Sequence, residues 1–234
     1  MLVIDAGNSQ TSAGLFDGDR LSATAREPTD HAAAAWSLVR RLTDGASVTA
    51  TVVSTPGPAL DAAYREAPPG LLGHEPLVLS ADVAGPDRLA DCAAAHALVG
   101  GACIAVDLGT ATTVNAVDDD GRFLGGAIAT GLEVSVRALA ARAARLGAVA
   151  LEAPEAAIGA DTDRAMRSGA VYGHAGLVDG LVGRFRAELG ADVPAIATGG
   201  LAGVVAPHCR TVSRIEPTLT LVGLRLLWLR SGSG

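Results

Sequence analysis

Aromatic residues are scarce: Phe, Tyr and Trp together make up 3% of this 234-residue chain. Its core must therefore be packed from Ala, Val and Leu. Hydrophobic residues reach 49% and charged residues only 18%, which excludes a disordered chain. The length suits one large domain or two of about a hundred residues each. Cysteine is rare too. Cys92, Cys103 and Cys209 stand at no metal-ligand spacing, and an odd number does not make a disulfide framework, so they read as buried small hydrophobes. No basic run occurs and the formal net charge is −7, which excludes nucleic acid as a natural partner. No apolar run is long enough to span a bilayer. The apolar start before Asp5 is too short for a secretory signal, so the chain is expected in the cytoplasm, with no membrane partner.

What the chain does have is one acidic, glycine-containing turn given twice. Ile4-Asp5-Ala6-Gly7-Asn8-Ser9 opens the first half and Val106-Asp107-Leu108-Gly109-Thr110-Ala111 opens the second. Each follows one apolar run and precedes another, Ala13-Gly14-Leu15-Phe16 or Val114-Asn115-Ala116-Val117. Each then reaches a polar turn, Asp17-Gly18-Asp19-Arg20 or Asp118-Asp119-Asp120-Gly121-Arg122. Two hairpins with the same residue order indicate a duplicated domain whose copies face each other across a cleft.

The rest of the pattern agrees. Strands are expected near 2–6, 11–16 and 20–26, then near 48–53 and 76–80. Helices are expected near 30–43, capped by Thr29 or Asp30, and near 59–66 and 87–98. Gly100-Gly101 is the boundary candidate, dividing the chain into 1–101 and 102–234. The second half repeats three strands near 102–107, 111–117 and 122–129. Helices near 132–146 and 161–189 follow, then a strand near 193–198, a short helix, a strand near 211–215 and a last helix near 218–229. Three strands and then alternating helices and strands, given twice, make an α/β arrangement of mixed sheets flanked by helices. The long helix carries Gly169, Gly173, Gly176 and Gly180 on one side. Each costs about 1 kcal/mol against Ala. Close approach of the sheet or of a second subunit would compensate.

The two turns have the composition of a phosphate site. Gly7 lets backbone N–H groups approach an anion, and Asn8 and Ser9 add donors. Asp5, at a strand end, suits Mg²⁺, which prefers carboxylate and phosphate oxygens. Asp-x-Gly-Asn is also ordinary hairpin chemistry. Asp107-Leu108-Gly109-Thr110-Ala111-Thr112-Thr113 supplies the same elements with more hydroxyls. An acidic protein handling a nucleotide must lean on cations and amides in this way. Thr198-Gly199-Gly200 after a strand brings backbone close to a flat ligand at a helix N-terminus. Gly85-Pro86-Asp87-Arg88 puts an acid and a base at a helix entrance, where Pro fits the first turn. Asp87 there either interacts with its own helix or accepts a hydroxyl proton while Arg88 binds a carboxylate.

Together these segments resemble the phosphate-1, phosphate-2 and adenosine motifs of the actin-like ATPase and sugar-kinase superfamily, whose halves are ribonuclease-H-like domains. Within it the chain is similar to bacterial type III pantothenate kinases. The resemblance rests on Asp5-x-Gly-Asn-Ser, Gly85-x-Asp-Arg, Asp107-Leu-Gly-Thr-Ala-Thr-Thr and Gly125-Gly126-Ala127-Ile128. Gly159-Ala-Asp-Thr162, Ser168-Gly169-Ala-Val-Tyr172-Gly173, Ala197-Thr198-Gly199-Gly200-Leu201 and Leu219-Thr-Leu-Val-Gly223-Leu224 extend it nearly end to end. It implies ATP-dependent phosphorylation of the primary hydroxyl of pantothenate, the first committed step toward coenzyme A, with Mg²⁺ accompanying ATP. By the same resemblance Asp5, Ala6, Gly7, Asn8, Ser9, Gln10, Thr11 and Ser12 would hold the nucleotide phosphates. Thr110 would contact ATP, and Gly199 and Gly200 the adenosine. Asp87 would be the general base, and Gly85, Pro86, Asp87, Arg88 and Thr162 would contact the acceptor. Asp107 would bind a monovalent cation, K⁺ or NH₄⁺. The family works as homodimers joined through second-half helices.

The chain departs from the family pattern in three places. The stretch between Pro56 and Gly85 is short, and it holds no tyrosine just before Gly85; Tyr64 is far upstream. Pro86 replaces a small or apolar residue, and Asn115 stands where the family often has Asp. His31, His74, His96, His174 and His208 form no recognisable cluster. Because the first departure falls in the acceptor pocket, a kinase of another small alcohol is the alternative. A nucleotide-binding regulator without turnover is the non-enzyme alternative.

Overall fold

Residues 1–29, 32–44, 46–65, 71–80, 83–143, 147 and 149–232 are described in a computed structural model, and they form two sheets of five strands. The first sheet holds β1 (Leu2–Ala6), β2 (Gln10–Asp17), β3 (Arg20–Pro28), β4 (Thr51–Ser54) and β5 (Leu77–Val78), in the order β3-β2-β1-β4-β5. The second holds β6 (Cys103–Leu108), β7 (Ala111–Val117), β8 (Phe123–Thr130), β9 (Ala195–Thr198) and β10 (Val212–Ile215), in the order β10-β9-β6-β7-β8. Read from the other edge, the second order repeats the first. Pairing repeats as well: β1 and β6 each run antiparallel to the next strand and parallel to β4 or β9. The duplication expected from the two turns is thus a duplication of whole sheets.

The helices are α1 (Ala32–Leu42), α2 (Pro58–Arg65), α3 (Pro86–Val99), α4 (Leu132–Arg142), α5 (Thr162–Leu189), α6 (Ala202–Val205) and α7 (Leu219–Arg230). Their order matches the expected one. The largest differences are α4, expected to run to 146 but ending at Arg142 because Ala143 is extended, and β4, expected from residue 48 but beginning at Thr51. The β4 start follows its partner, because β1 begins at Leu2 and Leu2 pairs with Thr51. Asp30, His31, residue 66 and residues 144–146, on which a cap and two helix ends were expected, lie outside the described residues.

Two compact units result, Met1–Ala94 with Thr218–Gly234, and Ala95–Pro217, whereas the sequence suggests a boundary at Gly100-Gly101. The last helix returns to the first unit because it has an apolar seat there. Val3, Phe16, Val52, Ala90, Leu221 and Leu224 form one buried cluster. At Gly223 the backbones of α7 and α3 come so close that a Cβ would lie 1.9 Å from the Ala90 carbonyl oxygen. On another flank of the first sheet Leu2, Ile4, Trp36, Val39, Val53 and Tyr64 pack together. In the second unit α5 lays Val171, Ala175, Val178 and Val182 on the core strands. That helix is capped at both ends: Asp161 accepts from the Arg164 amide at 2.8 Å, and Gly190 closes it in a left-handed conformation. Burial pushes the Cys103 thiol up to about 11 and, with the Asp179 charge, the Cys209 thiol up to about 12. Both stay protonated at neutral pH; Cys103 is buried as expected, whereas Cys209 is half-buried.

Candidate active site

Each sheet presents its acidic residue at the end of its central strand, between two hydroxyls. Asp5 on β1 is in register with Ser12 on β2 and with Ser54 on β4. Asp107 on β6 is in register with Thr113 on β7 and Thr198 on β9. Both aspartates are half-buried, whereas Ser54 and Thr198 are 1% exposed. The site therefore repeats three strand ends, not two turns. Ser54 was missed in the sequence because its counterpart Thr198 is flagged by Gly-Gly, and Ser54 is followed by Thr55-Pro56.

The first turn is tight. The Gly7 amide donates to the Gln10 carbonyl at 2.9 Å and the Thr29 amide to the Ser9 carbonyl at 3.0 Å. Asn8, Ser9 and Gln10 are left exposed at the tip, while Ala6 and Thr11 are buried beneath it. Asp87 and Arg88 stand in the first turn of α3, with Pro86 as its first residue. Gly85 precedes the helix, and a Cβ there would stand 2.4 Å from Asp87 Oδ1. The lack of a side chain at 85 thus makes room for the Asp87 carboxylate. One turn further, the buried Asp91 accepts a 2.7 Å hydrogen bond from the Thr220 hydroxyl and ties α3 to α7.

In the second unit two predicted segments meet. Gly199 has φ +96°, and a Cβ there would lie 2.2 Å from Asp107 Oδ1 and 2.6 Å from the Leu108 amide nitrogen. The Leu201 amide donates to the Leu108 carbonyl at 2.9 Å, closing the contact. Gly200 and Thr110 are exposed beside it. Gly131 supports the turn from below: its amide donates to the Thr110 carbonyl at 3.1 Å, and a Cβ would fall 2.3 Å from the Gly109 and Thr110 carbonyl oxygens. Its sequence position, at the start of α4, offered no sign of this role. Asn115, the departure from the family pattern, is fully buried and donates to Thr113 Oγ1 at 3.0 Å, so it orients the hydroxyl next to Asp107. Thr162 is the first residue of α5 and exposed.

The chain contains no lysine; its 18 cationic side chains are all arginine. Neither turn carries one, so phosphates there would be met by amides, hydroxyls and a metal ion. Among the described residues no group of three or more His, Cys, Asp or Glu forms a metal cage. Single carboxylates beside hydroxyls still fit Mg²⁺ that arrives on a nucleotide, because Mg²⁺ takes one or two protein carboxylates and fills its shell with phosphate and water.

His174, on α5, is 6% exposed and its Nε2 lies 2.7 Å from Thr112 Oγ1. Burial disfavours the imidazolium and lowers its pKa below the ordinary 6.5. The unfolded chain then binds the proton more readily than the folded one. The stability contributed is complete above pH about 6.5 and is lost as the pH falls toward the folded-state pKa. In urea unfolding followed across that window, the wild-type midpoint is expected to drop with acidification, and His174→Phe to drop less steeply.

A family model for type III pantothenate kinase matches residues 1–184. The type III pantothenate kinase of Frankia alni is 43% identical, over 97% of this chain and 98% of its own length. The chain belongs to the type III pantothenate kinase family. Among solved structures it is similar to component A of (R)-2-hydroxyglutaryl-CoA dehydratase from Acidaminococcus fermentans, with TM-score 0.63, 15% identity and coverage of 100% of this chain and 98% of that one. It is also similar to the ROK hexokinase of Thermus thermophilus, with TM-score 0.54, 17% identity and coverage of 99% and 100%. At such identities these likenesses concern the fold alone, and they agree with the α/β arrangement of two mixed sheets expected for this type III pantothenate kinase family member.

Proposed function

We propose that this chain transfers the γ-phosphoryl group of ATP to the primary hydroxyl of pantothenate, forming 4'-phosphopantothenate and ADP in the cytoplasm. The observation that carries the reading is the carboxylate between two hydroxyls, repeated at the centre of both sheets in a chain of this family. Residues 5–12 hold the nucleotide phosphates through amides and hydroxyls. Thr110 contacts the nucleotide, and Gly199 and Gly200 admit the adenosine. Asp5 takes part in holding Mg²⁺, which when bound neutralises charge on the phosphates. Asp107 holds a monovalent cation, K⁺ or NH₄⁺.

Asp87 accepts the proton of the attacking hydroxyl. The hydroxyl oxygen forms a bond to the γ-phosphorus as the bond from that phosphorus to the β–γ bridging oxygen breaks, and ADP leaves. Arg88 binds the pantothenate carboxylate, and Gly85, Pro86 and Thr162 contact the acceptor. Phosphoryl transfer of this kind depends on positioning and charge neutralisation more than on covalent chemistry. Initial rates with ATP over pantothenate and a panel of sugars and nucleosides test the reading. Pantothenate is expected to be the preferred acceptor; turnover of another alcohol with none of pantothenate would overturn it.

The chain works as a homodimer in this reading. Five glycines of α5, Gly169, Gly173, Gly176, Gly180 and Gly183, have no described atom beyond their own chain neighbours and helix backbone within 4 Å of the place their Cβ would occupy. Packing among the described residues therefore does not offset their cost, about 1 kcal/mol each in helix propensity, and a second copy seated on the stripe does. A cavity of about 490 Å³ beside Gly176, lined by Tyr172, Asp179, His208 and Arg210 among others, gives a partner side chain a place. Sedimentation at micromolar concentration is expected to show a dimer, and Gly176→Leu, which meets open space in one chain, a monomer. A wild-type monomer would contradict the shared interface.

A further inference from the structure

A carboxylate is buried where α3 meets α7, at a seam whose other packing is apolar. Val3, Phe16, Val52, Ala90, Leu221 and Leu224 form the cluster there. Asp91, the neighbour of Ala90 on α3, is 1% exposed and accepts the 2.7 Å hydrogen bond of the Thr220 hydroxyl. The two residues stand 129 positions apart in the chain. A buried carboxylate carries a desolvation cost that an apolar residue at this seam would avoid. What apolar packing lacks is direction. It tolerates a helix turning about its own axis, whereas a hydrogen bond weakens steeply away from its preferred angle.

The donor side of that bond is itself fixed. Arg225 of α7 donates from Nε to the Gly18 carbonyl at 3.2 Å, pairs with Asp19 and stands 5.5 Å from the centroid of the Phe16 ring. These contacts tie α7 to the hairpin of β2 and β3. Gly223 then brings the α7 backbone against Ala90, so α3 meets α7 at two successive residues, by close approach and by a directed bond. All of these groups lie in the first unit. Asp87 precedes Asp91 by four residues on the same helix, one turn nearer its start and on the same face. The rotation of α3 that satisfies Asp91 therefore also sets the direction in which the Asp87 side chain leaves the helix.

We propose that Asp91 and Thr220 are positioning residues for the Asp87 carboxylate, their bond fixing the rotation of α3 and so aiming the base at the acceptor hydroxyl. The inference rests on the reading of Asp87 as that base. Neither Asp91 nor Thr220 takes a proton or touches a substrate in it. Without the Thr220 hydroxyl, α3 keeps its apolar seat and still forms. Its rotation relaxes as the buried carboxylate turns toward another donor. A shift of about 1 Å at a catalytic group costs about 10²-fold in rate.

The test is a set of initial rates at saturating ATP and pantothenate on Thr220→Val and Thr220→Ser, each made in the wild type and in Asp87→Asn. In the wild-type background Thr220→Val is expected to lower kcat about 10²-fold, with affinity for a non-hydrolysable ATP analogue unchanged by calorimetry. Thr220→Ser keeps the hydroxyl and should restore most of that loss. In the Asp87→Asn background Thr220→Val should cost nothing further, because no base is left to misaim. A purely structural role has a different signature: a lower melting temperature with kcat of the folded protein in place, or the same loss in both backgrounds. Either result would overturn the proposal. A wild-type rate for Asp87→Asn alone would sink the base assignment and this inference with it, so the two failures are read from different variants. Should Thr220→Val not fold, Thr220→Ala takes its place in every arm, since alanine is the best helix former and position 220 is half-buried.

Discussion

Asp87→Asn is expected to lower kcat for pantothenate phosphorylation by about 10²–10⁴-fold, the range that a positioned general base contributes, with ATP affinity retained. The substitution keeps the size of the side chain and its place in the first turn of α3. It removes the proton acceptor that the proposed function assigns to this side chain. Gly85 would accommodate the amide as it accommodates the carboxylate, so the helix entrance should not move. Arg88→Ala is the informative companion, because it should raise KM for pantothenate more than it lowers kcat if its guanidinium holds the carboxylate. Turnover by Asp87→Asn at the wild-type rate would remove Asp87 as the base.

The second large effect is expected at Gly199. An alanine there meets two obstacles: the backbone at φ +96° disfavours any L side chain, and the new Cβ would press on Asp107 Oδ1 from 2.2 Å and on the Leu108 amide from 2.6 Å. The carboxylate must move, and a misplacement of about 1 Å in a catalytic constellation costs about 10²-fold in rate. Gly199→Ala should therefore lose about that much in kcat/KM for ATP, together with about 1–3 kcal/mol of stability from the strained backbone. Gly203→Ala is the control, since no atom lies within 4 Å of its Cβ position. It should leave both quantities in place. Equal behaviour of the two variants would show that contact between Gly199 and Asp107 is not what matters.

Much of this architecture was legible in the residues, and the reasons are physical. Hairpins announce themselves locally, through alternation and turn chemistry, so β1 to β3 and β6 to β8 could be placed within a few residues. The parallel neighbours were harder. Nothing near Thr51–Ser54 says which strand it joins, and only the register with β1 puts Ser54 beside Asp5. Helix α7 was placed in sequence but not in space, because its apolar residues would suit either sheet; its seat on Val3 and Val52 depends on the close approach at Gly223. Gly131 and Asn115 act through contacts that only the folded chain creates. Tyr64 lies far upstream of Gly85 in sequence, and the fold buries it against Trp36 in the core of the first unit. The α5 glycines were visible as a pattern, and the empty space around each of them could be known only from coordinates.

The proposed function needs both Asp5 and Asp107 for ATP binding. The decisive measurement is calorimetric titration of Mg²⁺ with a non-hydrolysable ATP analogue into the wild type, Asp5→Asn and Asp107→Asn. One nucleotide per chain in the wild type and clearly weakened binding in both variants are expected. Wild-type affinity in either variant would remove that carboxylate from the nucleotide site, and two nucleotides per chain would refute the shared role.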